Sequence, residues 1–114
     1  MAFVTIDLAI KHVRAEVGTE DDLIQLYLEG AQQAAMAYVN RQVFATQEDL
    51  DTAQTAGTAG DFPMVVNAAI KAAILKTTGD LYANREDSVV GATAVELPVS
   101  ARRLLRPYRI TPGV

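Results

Sequence analysis

The side chains that could do chemistry are few and scattered. The single histidine, His12, lies close to Lys11 and Arg14. A general acid or base needs positioned partners, and neighbouring cations do not supply them, so His12 reads as a surface residue. The triplet Glu20-Asp21-Asp22 offers carboxylates to a metal, but its spacing is not the D-x-[DN]-x-[DN]-G of a calcium loop. Negative charge at that point suits the first turn of a helix instead. Asp49, Asp51 and Asp61 fall in a stretch of Ala, Thr, Gly and Gln and read as solvating charges. The chain has no cysteine, hence no disulfide framework and no thiol chemistry. No phosphate-binding glycine loop, nucleophile elbow or zinc pattern occurs. The expectation is therefore no catalytic, metal or cofactor site, and no enzyme.

The cations are more informative. The formal net charge of −4 hides a division. Residues 1–97 hold all 14 acidic residues and six of the ten basic ones, whereas residues 98–114 hold Arg102, Arg103, Arg106 and Arg109 and no acid. A basic tail on an acidic body suits phosphate or an acidic protein surface, and the acidic body argues against a general DNA-binding domain. Apolar residues stand among these arginines: Leu97-Pro98 precedes them, and Leu104, Leu105 and Tyr108 alternate with them. Apolar anchors with arginine are what protein interfaces favour. The segment either docks onto a partner chain or folds back as a core helix of its own subunit.

The element that must position all this is the stretch from Pro63 to Glu86, which reads as one long helix. Pro63 suits its first turn and Asp61 its cap. Val66, Ile70, Ala73, Ile74, Thr77 and Leu81 share one apolar sector. A second strip, Met64, Ala68, Ala72, Leu75, Gly79 and Tyr82, is apolar too and rich in small residues. A helix apolar on two sides has neighbours on two sides, and Ala68, Ala72, Leu75 and Gly79 are the candidate contact with another copy of the chain. At the end of the helix, Arg85 and Glu86 are candidates to hold a neighbouring segment or subunit.

The other elements arrange themselves around that hub. Thr5 caps a short helix to about Val17, with Ile6, Ala9, Ile10, Val13 and Val17 on one face and Gly18 as its stop. Thr19 starts a second helix to about Arg41, whose broad apolar face is Leu23, Leu26, Tyr27, Ala31, Ala34 and Tyr38. Residues 42–62 show no period and read as a long loop, with a helical turn or two from Gln47 to Ala53. Residues 87–96 form an extended arm or a short hairpin. Pro98 opens a last helix and Pro107 stops it. The fold class is thus all-α: a small bundle of about four helices around one long central helix, in one domain. The helical body is 1–97 and the basic end 98–114. No signal peptide or membrane-length apolar run is visible, and a cytoplasmic chain is the expectation.

The residue order resembles a known family. It runs Thr5, Ala9, Lys11 and Arg14; Asp21-Asp22-Leu23-Ile24, then Tyr38-Val39-Asn40-Arg41; and Pro63 before Ala69-Ile70-Lys71-Ala72-Ala73-Ile74-Leu75. Leu81-Tyr82-Ala83-Asn84-Arg85-Glu86 follows, and then Leu97-Pro98 with Leu104-Leu105-Arg106-Pro107-Tyr108-Arg109. The whole is similar to the head–tail connector, or adaptor, proteins of tailed bacteriophages and their prophages. Residues 42–62 depart from the pattern, being longer and richer in Gly, Ala and Thr. The resemblance implies a structural protein of the virion, assembled in the host cytoplasm. It implies a homo-oligomeric ring, dodecameric in the virion, under the portal protein. The ring would extend the DNA channel without sequence-specific binding and would receive a tail or stopper protein. No membrane and no cofactor are implied. The rival reading is a small helical regulator that binds nucleic acid through the arginine-rich C-terminal helix.

Overall fold

A computed structural model describes residues 3–15, 18, 20–60, 62–83 and 97–110 of the chain. The first helix, α1 (Ile6–Val13), starts where its cap dictates: the Thr5 hydroxyl accepts the Leu8 N–H at 3.2 Å. It stops sooner than the apolar period implied. Arg14 turns into the left-handed region at φ 60°. The Arg14 N–H then reaches the Lys11 carbonyl and the Ala15 N–H the Ile10 carbonyl, the pair of bonds that closes a Schellman motif. Gly18 is therefore not the terminator. It serves the next helix, α2 (Asp21–Val39), by donating its N–H to Asp21 Oδ1 at 2.9 Å. The expected cap, Thr19, lies outside the described residues, and the N-cap position is held by Glu20 without a side-chain cap bond.

The buried face of α2 differs from the expected one. Ile24, Tyr27, Leu28, Ala31, Ala35 and Val39 are buried, while Leu26 is 46% exposed and Leu23, Ala34 and Tyr38 are half-buried. Apolar residues surround most of this helix, so more than one stripe satisfies a helical period, and contact with the central helix selects the one through Ile24 and Leu28.

Residues 42–60 hold more regular structure than a loop. Strand β1 (Val43–Phe44) leads into helix α3 (Gln47–Ala56), which returns to strand β2 (Met64–Val65). The strands pair in parallel, Val43 opposite Met64 and Phe44 opposite Val65. A parallel pair needs a crossover, and α3 is that crossover. Its signals are local. The Thr46 hydroxyl accepts the Asp49 N–H at 3.1 Å, and Gly57 closes the helix at φ 76°. Only Leu50 of α3 is buried, which is why no apolar period announced it.

The pairing of β2 also corrects the start of the central helix, α4 (Ala68–Ala83). Met64 and Val66 donate their N–H groups to the carbonyls of Gln42 and Phe44, so Pro63 to Val66 are committed to the sheet rather than to a helix. Asn67 is the cap, its Oδ1 accepting the Ile70 N–H at 3.0 Å. From there the expected stripe holds: Ile70, Ala73, Ile74, Thr77 and Leu81 are buried, joined by Thr78. The two threonine hydroxyls donate to the carbonyls of Ala73 and Ile74 at 2.9 and 2.8 Å, which satisfies them inside an apolar environment.

Helix α5 (Val99–Leu105) follows Pro98 and passes into a 3-10 turn over Arg106–Tyr108. The main core lies where α4 is enclosed by α2, α5 and α1. Its largest members include Ile24, Leu28, Ile70, Ile74 and Leu105. Among the described residues the architecture is five α-helices with one two-stranded sheet. It is mostly helical, and the small sheet is the addition to the expected all-α class.

Candidate partner interface

The C-terminal segment is held by the end of α2. The left-handed turn of Asn40, φ 54°, lets the chain leave the helix at once. Asparagine accepts that conformation at little cost, and here its side chain is also used, Nδ2 donating to the Ile110 carbonyl at 3.1 Å. The Ile110 N–H returns to the Val39 carbonyl at 2.9 Å. Arg109 donates from Nε to the Tyr38 carbonyl at 2.9 Å, with its guanidinium 4.7 Å from the Tyr38 ring centre. Arg41 reaches three carbonyls: Phe62 at 2.7 Å, Tyr108 at 3.3 Å and Pro63 at 3.5 Å. The stretch Tyr38-Val39-Asn40-Arg41 and the stretch Tyr108-Arg109-Ile110, far apart in sequence, are thus one joint. Arg41 adds β2 to it, because Phe62 and Pro63 lead into that strand.

Arg41 was not among the expected interface residues, and its role is internal. Removing its guanidinium leaves three carbonyls without a charged donor. Arg41→Ala is expected to cost about 1–3 kcal/mol in denaturant melts. It should also speed hydrogen exchange at the Met64 and Val66 amides before the rest of the fold opens. Unchanged exchange at those two amides would show that the joint does not secure the strand pair.

The same joint sorts the expected contact residues of the C-terminal segment. Leu105 is fully buried in the core of its own chain, and Leu104 and Tyr108 are half-buried against that core. Leu105 is corrected from partner anchor to core residue. Burial of Leu97, Ala101 and Leu105 is the physical reason that the segment folds back on α4. Arg102 is half-buried, and its Nε is enclosed without an acceptor. Arg109 is exposed but tied to Tyr38. Arg103 and Arg106 are exposed, and neither side chain is bonded to another described residue.

The strip on the central helix is also partly occupied from within. Leu75 packs on the core, and Gly79 lies beneath His12 of α1. A Cβ at Gly79 would stand 2.9 Å from His12 Nε2, so the imidazole rests on the bare backbone there. Ala72 is half-buried and Ala68 exposed. The two apolar sides of α4 thus meet α1, α2 and α5 of the same chain. Arg85 and Glu86 lie outside the described residues.

His12 covers Gly79, and no group of three or more His, Cys, Asp or Glu residues that could hold a metal occurs among the described residues. The Tyr82 hydroxyl donates to Glu20 Oε1 at 2.7 Å, tying the end of α4 to the start of α2. That bond gives the aromatic of the Leu81-Tyr82 motif a structural use. No helix among the described residues is long and apolar enough to cross a membrane. Among the described residues, the outer side of α5 carries the exposed Arg103, and the outer side of α3 carries the exposed Glu48 and Asp51.

Comparison with known proteins agrees with the order of motifs along the chain. Searches of curated proteins and of solved structures each returned no significant match. The family model described as phage gp6-like head-tail connector protein matches residues 4–109. That span takes in every described helix and the joint between α2 and the C-terminal segment up to Arg109, and the chain belongs to the phage gp6-like head-tail connector family.

Proposed function

We propose that this protein, a structural connector of a phage particle, assembles with copies of itself into a ring beneath the portal. The ring lengthens the DNA channel and presents a docking surface to a tail or stopper protein, in the dodecameric number that the family resemblance implies. The observation that carries the reading is the family match over residues 4–109. The charge division supports it. An acidic body repels DNA, which suits a channel wall along which DNA must slide.

The rival is a regulator that grips nucleic acid with its C-terminal helix, and the allocation of that helix's side chains disfavours it. Helix α5 spends its inner side on the core, and Arg109 is engaged with Tyr38. Among the described residues of this segment, Arg103 and Arg106 are the arginines with uncommitted side chains, a thin phosphate-binding surface. The test is co-sedimentation of the purified chain with DNA-filled capsids, compared with a salt titration of its binding to duplex DNA. The chain is expected to sediment with portal-bearing capsids and not with shells that lack a portal. Failure to bind the portal-bearing capsids, together with tight DNA binding that falls steeply with salt, would replace this reading with the rival.

A further inference from the structure

The chain carries two oppositely charged faces that no contact among the described residues brings together. Val99 and Arg103 on α5, and Arg106 at its C-cap in helical backbone geometry, follow one another at i, i+4 and i+7, which stacks them on one side. Val99 is 55% exposed, and both arginine side chains are exposed and unbonded to other described residues. The inner side, with Ala101 and Leu105, is in the core, so this stripe points outward. The second face is on α3. Glu48, Asp51, Thr52, Thr55 and Ala56 line a shallow depression along that helix. Residues 42–62 contain four acids and no Lys or Arg, whereas residues 97–110 contain four arginines and no acid. The nearest cation in sequence, Arg41, already serves three carbonyls.

Building on the ring reading, we propose that copies of the chain meet head to tail: the Val99–Arg103–Arg106 stripe of one copy sits on the Glu48–Asp51–Thr55 face of α3 in the next. Charge complementarity selects the occupant, since the two faces carry equal and opposite formal charge in their segments. The threonine methyl groups and Ala56 provide an apolar floor for Val99. Because the two faces are different patches of one chain, their contact is heterologous, the kind that propagates and closes into a ring when the rotation allows. The arginines choose and orient the neighbour more than they add affinity. Assembly through these faces is accordingly salt-sensitive, because exposed charges lose their reach as the screening length shrinks.

Charge exchange on the full-length chain tests this. The double variants Arg103→Glu with Arg106→Glu, and Glu48→Arg with Asp51→Arg, are compared with the unaltered protein by native mass spectrometry and sedimentation at low and high salt. The unaltered chain is expected to self-associate at low salt and to lose about tenfold or more of that association at high salt. Each variant alone should lose association by a similar factor while keeping its circular dichroism melt, since these side chains lie on the surface. Mixed in equal amounts, the two variants should associate again, because each supplies the charge that the other lacks. If either variant assembles like the unaltered chain, or if the mixture stays dissociated, the contact is overturned while the ring reading stands. An unaltered chain that remains monomeric at low salt and high concentration, and on portal-bearing capsids, overturns both.

Discussion

Deletion of residues 97–114 is expected to abolish the cooperative unfolding transition. The segment supplies Leu97, Ala101 and Leu105 to the core, all at most 7% exposed, and Leu104 and Tyr108 pack at its margin. Burying a leucine contributes about 1.5–3 kcal/mol, so the leucines alone represent a large part of the roughly 5–15 kcal/mol that holds a domain of this size. Truncation also uncovers the side of α4 on which α5 lies, and it frees Arg41, Asn40 and the Val39 carbonyl from their partners at residues 108 and 110. The expected product is a helical but non-cooperative chain by circular dichroism and differential scanning calorimetry. A truncated protein that melts sharply within a few degrees of the parent would show that the segment is an appendage, free to dock elsewhere.

The second large effect lies on α2. Leu28→Ala should cost about 2–5 kcal/mol, the range for removing a buried leucine side chain, because Leu28 is 1% exposed against the central helix. Leu26→Ala, two positions away and 46% exposed, should cost less than about half a kcal/mol. Denaturant melts of the pair read the orientation of α2 directly. Equal losses, or the reverse order, would rotate the helix by about half a turn and return Leu26 to the core.

That pair also shows where the sequence was legible. The central helix could be read because one sector, Ile70 to Leu81, is more apolar and better spaced than any other, and that sector is buried. Helix α2 could be recognised as a helix but not oriented, since apolar residues occupy most of its circumference. Ends were less legible than existence. Arg14 and Asn40 adopt left-handed turns that no glycine announces. Pro63, a good first helical residue in isolation, is drawn into the lead of β2 by pairing with a strand some twenty positions earlier. Two-residue strands carry no alternation to detect, so β1 and β2 were invisible. Helix α3 left only its cap and its closing glycine as clues, Thr46 and Gly57.

For the interface, the sequence disclosed composition but not allocation. Leu104, Leu105, Tyr108 and the four arginines looked alike as a basic, apolar-anchored end. The fold divides them: Leu105 to the core, Arg109 to Tyr38, and Arg103 and Arg106 to the surface. The division follows from helical spacing once one knows which side of α5 meets α4, and that knowledge is tertiary. The use of Tyr38-Val39-Asn40-Arg41 as the seat of the C-terminal segment was hidden for the same reason, although both stretches stood out as motifs.

The proposed ring under the portal is tested most directly by cryo-electron microscopy of the head–tail junction in particles that carry this chain. Copies of the chain are expected as a ring around the DNA channel, between the portal and the tail or stopper. A junction in which the portal meets the tail directly, with this chain absent from the particle, would contradict it.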